Sequence, residues 1–249
     1  MMKLTIAEPK YLKDTISIIS ELVSEATFKI DKNGMGLVAM DPANVSMVLF
    51  NLFSSAFVEY KVEEPTDLGI NLSNLKQILR RANPSDMISL STVGKGKLKV
   101  LFSGQTKRQF FLPIIDIDQE EQKIPDLKFQ AELTLNSKIL ADAIDDVDIV
   151  SDSLIIEVDK EHLVIRGEGD LSQSETEIPA GEDVSITLEG ADKVKASYSV
   201  EYLKKMMNAA KISDKCKLKF GNDWPMKLEF NEVDKISLAF VLAPRFEYD

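Results

Sequence analysis

Residues 72–86, LSNLKQILRRANPSD, and residues 200–214, VEYLKKMMNAAKISD, stand 128 positions apart and read as two copies of one segment. Leu75-Lys76 falls on Leu203-Lys204, Ala82 on Ala210, and Ser85-Asp86 on Ser213-Asp214. The same offset holds in both directions along the chain. Leu12, Asp14 and Ile16 fall on Leu140, Asp142 and Ile144, and Asp31-Lys32 on Asp159-Lys160. Leu90 falls on Leu218, Lys99 and Phe102 on Lys227 and Phe230, and Lys107 on Lys235. Apolar character is kept where identity is lost, as in Phe28/Ile156, Leu37/Ile165 and Phe110/Leu238. A single offset held without gaps across helices, strands and turns points to a tandem duplication.

Each copy has the same order of elements. Helices are expected at about 9–24 and 137–149, with Pro9 in a first turn and Asn136 or Ser137 as cap. Alternating strands follow: TFKID, MGLVAM and VSMVLFNL, then LIIEVD and HLVIRGEG. A second helix is expected at about 73–82 and 200–211, capped in the first copy by Ser73. MISLST, LKVLFSG and RQFFLPI close one copy; CKLKFG, MKLEFN and ISLAFVLA close the other. The fold class is α+β: two tandem domains, each of two helices backed by antiparallel sheets. The boundaries are 1–117 for the first domain, 118–129 for an acidic connector containing Pro125, and 130–249 for the second.

Composition narrows the function. Hydrophobic residues make up 44% and charged residues 29%, as in a globular domain. No apolar run approaches the roughly 20 residues that cross a bilayer, and the first residues lack a signal-peptide core. A soluble intracellular protein without membrane partners is the expectation. Cys216, the one cysteine, fits a reducing compartment. The net charge of -11 argues against nucleic acid, but it is unevenly placed: +2 over residues 1–117 and -13 over 118–249.

The repeat also absorbs residues that would otherwise suggest chemistry. His162 aligns with Gly34 and reads as a turn residue. Cys216 aligns with Ile88, an inward strand position, and reads as a buried thiol. Gly94-Lys95-Gly96-Lys97 lacks phosphate-loop spacing and precedes no helix, so it reads as a hairpin turn. Asp145, Asp146 and Asp148 point different ways around a helix and read as a solvated face. No triad, zinc spacing or dinucleotide motif is present, so no catalysis, metal or cofactor is expected.

On these residues the chain resembles the proliferating cell nuclear antigen family of DNA sliding clamps, in its archaeal form. The resemblance lies in AMDPANVSMV at 39–48, LSNLKQILRRA at 72–82, QEEQKIPDLKF at 119–129, Pro225, and LAPR at 242–245. It covers essentially the whole chain. It implies a ring of three subunits with pseudo-six-fold symmetry, strands outside and helices lining the hole. It also implies tethering of DNA polymerase, a clamp loader, flap endonuclease and DNA ligase through short peptide motifs.

The residues carried over are three sets. Lys10, Lys13, Lys76, Arg80, Lys204, Lys205 and Lys211 would face duplex DNA; without the resemblance they read more readily as ordinary solvated residues. Met40, Val45, Met47, Ile124, Pro125, Pro225, Leu242, Ala243 and Pro244 match the family's client-peptide pocket, and Gln122 would make its rim more polar. Edge strands RQFFLPI at 108–114 and SETEIPA at 174–180 would pair between subunits, with Lys107 beside the first; the charge asymmetry suggests in addition that Arg81 and Arg108 meet Asp142 and Asp146. One departure stands out: the helix SKILADAIDDVDIV has Asp145 where the family often carries a basic residue. That keeps open a specialised paralogue acting in a heterotrimer.

Overall fold

The computed structural model describes residues 2–94, 96–117 and 122–246. It divides into two compact units. The first takes residues up to Pro42, Val48–Lys123 and Asn231–Leu238; the second takes Ala43–Met47, Ile124–Phe230 and the chain from Ala239 on.

The chain begins with β1 (Met2–Ile6), α1 (Pro9–Ile19), β2 (Glu25–Ile30), β3 (Gly34–Met40), β4 (Ser46–Phe53), β5 (Glu59–Val62) and β6 (Thr66–Asn71). It continues through α2 (Leu72–Leu79), β7 (Met87–Val93), β8 (Lys97–Ser103) and β9 (Lys107–Pro113). The second repeat runs β10 (Ala131–Asn136), α3 (Ser137–Asp148), β11 (Ser153–Val158), β12 (His162–Glu168), β13 (Gln173–Pro179) and β14 (Val184–Leu188). It ends with β15 (Val194–Ser199), α4 (Val200–Met207), β16 (Lys215–Phe220), β17 (Met226–Glu232) and β18 (Ile236–Leu242). In the first unit, β5-β1-β7-β8-β9 form one antiparallel sheet. In the second, β13-β12-β11-β15 form another.

Most duplicated apolar positions are buried. Leu12 and Leu140, Ile16 and Ile144, Phe28 and Ile156, Leu75 and Leu203, and Phe102 and Phe230 all lie in the core. Burying each such side chain contributes about 1.5–3 kcal/mol. α1 packs on α2 and α3 on α4; α2 also lies against β2, β6 and β9, and α3 against β10, β11, β12 and β13. Each helix presents a buried stripe at three- and four-residue spacing, as the periodicity requires.

Helix ends differ from expectation in three places. α1 stops at Ile19; Leu22 and Val23 continue the apolar pattern but sit buried in a turn whose amides bond Ile19 O. β6 runs straight into α2, so Asn71 is the cap, its side chain accepting from Asn74 N at 3.0 Å, and Ser73 is inside the helix. α4 ends at Met207 and tightens into a 3-10 turn over Asn208–Lys211. That turn buries Ala209 at 0% exposure and leaves Ala210, the repeat equivalent of the buried Ala82, half-buried. In α3, Asn136 caps, accepting from Lys138 N at 2.8 Å.

Gly94 and Gly96 carry φ of 59° and 101° in the β7–β8 turn, a geometry other residues resist. His162 opens β12 rather than standing in the turn. The described connector residues, 114–117 and 122–129, form neither helix nor strand. Its start is tied down where Ile115 N donates to Gly69 O at 2.9 Å; a Cβ on Gly69 would stand 2.1 Å from Ile115 O.

Candidate functional site

In the first unit the exposed sides of α1 and α2 carry Lys10, Lys13, Lys76 and Arg80. Lys10 and Arg80 are exposed and Lys13 half-buried. Lys76 is bonded to Glu21, just beyond α1, and its side chain is 24% exposed. Arg80 caps α2, its amide bonding Lys76 O at 2.9 Å.

In the second unit Lys204 of α4 is bonded to Asp148 of α3 and lies 3.8 Å from Asp145. The bond to Asp148, with the charge of Asp145, pushes the Lys204 ammonium above its ordinary range. Lys205 pairs with Glu201 at 2.6 Å along the same helix. Lys211 is exposed in the 3-10 turn that follows α4, where the helix has already changed pitch, and so lies outside α4 itself. Of the partners of these lysines, Glu21 and Glu201 were not singled out from sequence, and Asp148 was read only as part of a solvated face. Acids on an exposed face carry no signal until a fold sets a cation beside them. Asp142, Asp145, Asp146 and Asp148 are all exposed, and Asp142 is held by Lys138 at 2.6 Å. Among the described residues no acidic, His or Cys group is arranged to hold a metal.

A second candidate region lies at the outer edge of β15. Lys195 N donates to Asn222 Oδ1 at 2.8 Å and Ser197 O accepts from Arg245 N at 2.7 Å, so two loops lie against one strand edge. Tyr198 Oη donates to Trp224 O at 2.7 Å, fixing the turn ahead of Pro225. Between these segments is a cavity of about 300 Å³ lined by Ile155, Lys195, Ser197, Asp223, Arg245 and Phe246, among others. Phe246 and Trp224 are exposed at 59% and 46%. Ala243 N donates to Val45 O at 3.0 Å, which brings Val45 to the same tail.

The expected pocket set therefore separates. Val45, Ala243, Pro244 and Pro225 are half-buried, and Ile124 and Pro125 are exposed. Met47 and Leu242 are in the core at 5% and 0% exposure, because their strand positions point inward; they back the site and do not line it. Met40, half-buried, belongs to the first unit. Lys195, Asn222 and Phe246 were missed: β15 itself was not read as a strand, and a polar loop residue and a tail aromatic have no periodicity to betray them.

The third region is a pair of sheet edges. β9 ends the first unit's sheet and β13 ends that of the second unit. Arg108 of β9 bonds the carboxylate of Asp86, and its Nη1 donates to Arg81 O at 2.9 Å. Asp86 is buried, so this guanidinium is held within its own chain, whereas Arg81 and Lys107 are exposed. On the other edge, Glu175 lies 3.5 Å from Arg166 Nε and Glu177 lies 3.3 Å from His162 Nε2. Cys216 is buried in β16, and burial pushes its thiol up to about 11, as expected of an inert thiol.

Residues 1–122 match the family described as "Proliferating cell nuclear antigen, N-terminal domain", and residues 123–245 the corresponding C-terminal domain. The chain is 34% identical over 247 residues to a DNA polymerase sliding clamp of Nanoarchaeum equitans, covering 98% of this chain and 99% of that one. It is 34% identical over 238 residues to a clamp of Thermococcus gammatolerans, covering 96% of each. A crystal structure of PCNA from Thermococcus kodakaraensis superposes with a TM-score of 0.92 at 25% identity, over 98% of this chain and 100% of that one.

Proposed function

Since the chain belongs to the proliferating cell nuclear antigen family of DNA sliding clamps, a family of scaffolds without catalysis, we propose that three copies close head to tail into a ring around duplex DNA. The observation that carries this reading is the open edge on each unit: β9 on one, β13 on the other. An unpaired edge is a template for another chain, and a heterologous contact that closes makes a ring. Exposed pairs such as Arg81 with Asp142 or Asp146 of the next subunit add only about 0–1 kcal/mol each.

In this reading the helices face the hole. Their lysines attract phosphates without regard to sequence, which is what sliding needs. Nearby acids hold Lys76, Lys204 and Lys205 and weaken their pull on phosphate, so the duplex is retained by topology more than by affinity. Client peptides from DNA polymerase, the clamp loader, flap endonuclease and DNA ligase dock at the β15 edge, with an aromatic anchor beside Pro225, Pro244 and Ile124.

The test is mass in solution by light scattering, with polymerase extension on a primed circle. A trimer that stimulates extension is the expected result. A monomer that trimerises only with related chains would instead support a heterotrimer, a reading favoured by the acidic face of α3.

A further inference from the structure

The outward face of the first unit's five-stranded sheet runs against the charge of the chain. Alternation along β5, β1, β7, β8 and β9 turns their odd residues away from the core. Among these are Lys3, Lys61, Lys97, Lys99 and Lys107, with a single acid, Glu59. In a chain of net charge -11, this face carries five lysines less one glutamate, or +4.

The register lines these residues up. Lys61, Lys3, Ser91, Lys99 and Phe111 stand directly across from one another in one row over the five strands. Ser89 and Ser91 keep β7 low in the middle of the sheet, between Lys3 on β1 and Lys97 and Lys99 on β8. With strands about 4.8 Å apart, the two lysine walls stand about 9.6 Å apart, and Lys97 and Lys99 are about 6.8 Å apart along β8. Beyond β8 the face turns apolar: Leu101 is half-buried and Phe111 is 49% exposed.

The second repeat fills the same positions differently. Glu132 stands across from Lys219 as Lys3 stands across from Ser91, and Lys217 and Lys219 take the places of Ser89 and Ser91. Glu132 bonds both lysines, at 2.8 and 3.1 Å, and Lys227, the repeat equivalent of Lys99, bonds Glu229 at 2.6 Å. There the floor is occupied and its charges are paired. In the first unit Lys3 and Lys61 share Glu59, and no carboxylate among the described residues pairs with Lys97, Lys99 or Lys107. Like charges set side by side on a sheet repel, and an anion laid between them relieves the repulsion.

We propose that this face binds an extended single strand of nucleic acid. Its phosphates lie along β7, between the lysines of β1 and β8, and its bases turn toward β9, where one stacks on Phe111. The step from Lys97 to Lys99 is close to that between phosphates of an extended strand, and unpaired bases offer the flat faces that an exposed aromatic takes up. A duplex is wider than the trough and keeps its base faces covered. An acidic peptide would meet the lysines but has no use for Phe111. The site is separate from the helices and does not depend on the ring. Pairing at a sheet edge uses backbone groups in the plane of the sheet and leaves this face open.

Anisotropy of a labelled oligothymidylate of roughly 12 nucleotides tests the site. The background is the full chain with Lys76, Arg80, Lys204 and Lys211 replaced by alanine, so that binding along the helices does not mask the face. Adding Lys97→Ala with Lys99→Ala should weaken binding about tenfold and lower the slope of log affinity against log salt by about 1.4, or about 0.7 for each phosphate no longer neutralised. Phe111→Ala should weaken binding several-fold, and Phe111→Tyr should restore it. Ser91→Leu, which raises the floor without changing the charge, should weaken it too. Equal binding with and without the two lysines overturns the site. Oligoglutamate that displaces the thymidylate at equal concentration overturns nucleic acid in favour of an acidic peptide. A duplex that binds the same background as tightly, with the same loss on removing Lys97 and Lys99, overturns the single strand.

Discussion

Lys76 and Lys204 occupy the same position in the two repeats, yet they keep different company. Lys76 is bonded to Glu21, in the turn after α1; Lys204 is bonded to Asp148, at the end of α3, with Asp145 nearby. The repeat equivalent of Glu21 is Ile149, which is 81% exposed, and that of Asp148 is Ser20. Duplication kept the lysine and moved its counter-charge by one residue. The apolar partners, by contrast, coincide position for position. Packing constrains where a residue can stand to within a methylene, while an exposed charge needs only to be near another.

The core half of this comparison gives the largest expected effects. Leu12→Ala and Leu140→Ala should each destabilise their unit by about 2–5 kcal/mol in denaturant unfolding. A large loss at one site and almost none at the other would break the claim that the two cores are equivalent.

Asp86 and Asp214 sharpen the contrast. Asp86 is buried, accepts from Asn83 N at 2.7 Å and bonds Arg108; Asp214 is exposed, and the repeat equivalent of Arg108 is Ile236. Asp86→Asn should cost about 1–3 kcal/mol by thermal or chemical denaturation, and Asp214→Asn less than about 0.5 kcal/mol. Equal losses would mean that the guanidinium contributes nothing.

The lysines test the charge half. Replacing Lys76, Arg80, Lys204 and Lys211 together by alanine should weaken duplex binding about tenfold, or 1.4 kcal/mol. The slope of log affinity against log salt should flatten by about 0.9 for each phosphate that is no longer neutralised. Asp148→Asn with Asp145→Asn, which frees Lys204, should strengthen binding and steepen that slope. Unchanged slopes in both variants would remove these residues from the duplex.

The smallest effect is on acid stability. Glu59 bridges Lys3 and Lys61 in the first unit, and Glu132 bridges Lys217 and Lys219 in the second. Bonds from Lys3 and Lys61 hold Glu59 down at about 2, and Lys217 chiefly lowers Glu132. Depressed carboxyls contribute stability above the unfolded-state value, near 4.3, and lose it as pH falls through their folded values. Glu59→Gln and Glu132→Gln should each lower stability slightly at neutral pH, with the difference from the parent shrinking as pH falls below about 4.5. A carboxyl titration by NMR that puts either glutamate at or above 4.3 would reject the bridging geometry.

Much of this was legible in the sequence, for a physical reason. A constant offset exposes equivalent positions even where a single strand pattern is ambiguous, so the helices, most strands and the inert Cys216 could be read. β1 and β10, MKLTI and AELTLN, were missed: each is short and enters a helix within a few residues, without the turn residues that mark a strand end. Overlooking β6 moved the α2 cap from Asn71 to Ser73. The candidate pocket was half legible. Its prolines and Ile124 belong to quotable motifs, but nothing in a sequence says that Met47 faces inward while the next exposed turn faces out. The ion pairs of Lys76 and Lys204 were not legible, because they join elements distant in the chain.

Cys216 is the one cysteine of the chain, and it sits in the second unit alone. At 2% exposure its sulfur meets a soluble reagent only when β16 parts from its neighbours. The molecule thus carries a native stopwatch on one of its two halves: the rate at which the thiol is captured reports how often that half breathes, and is deaf to opening confined to the other. Compared with amide exchange, which hears both, it would tell whether the duplicated domains come apart together or take turns.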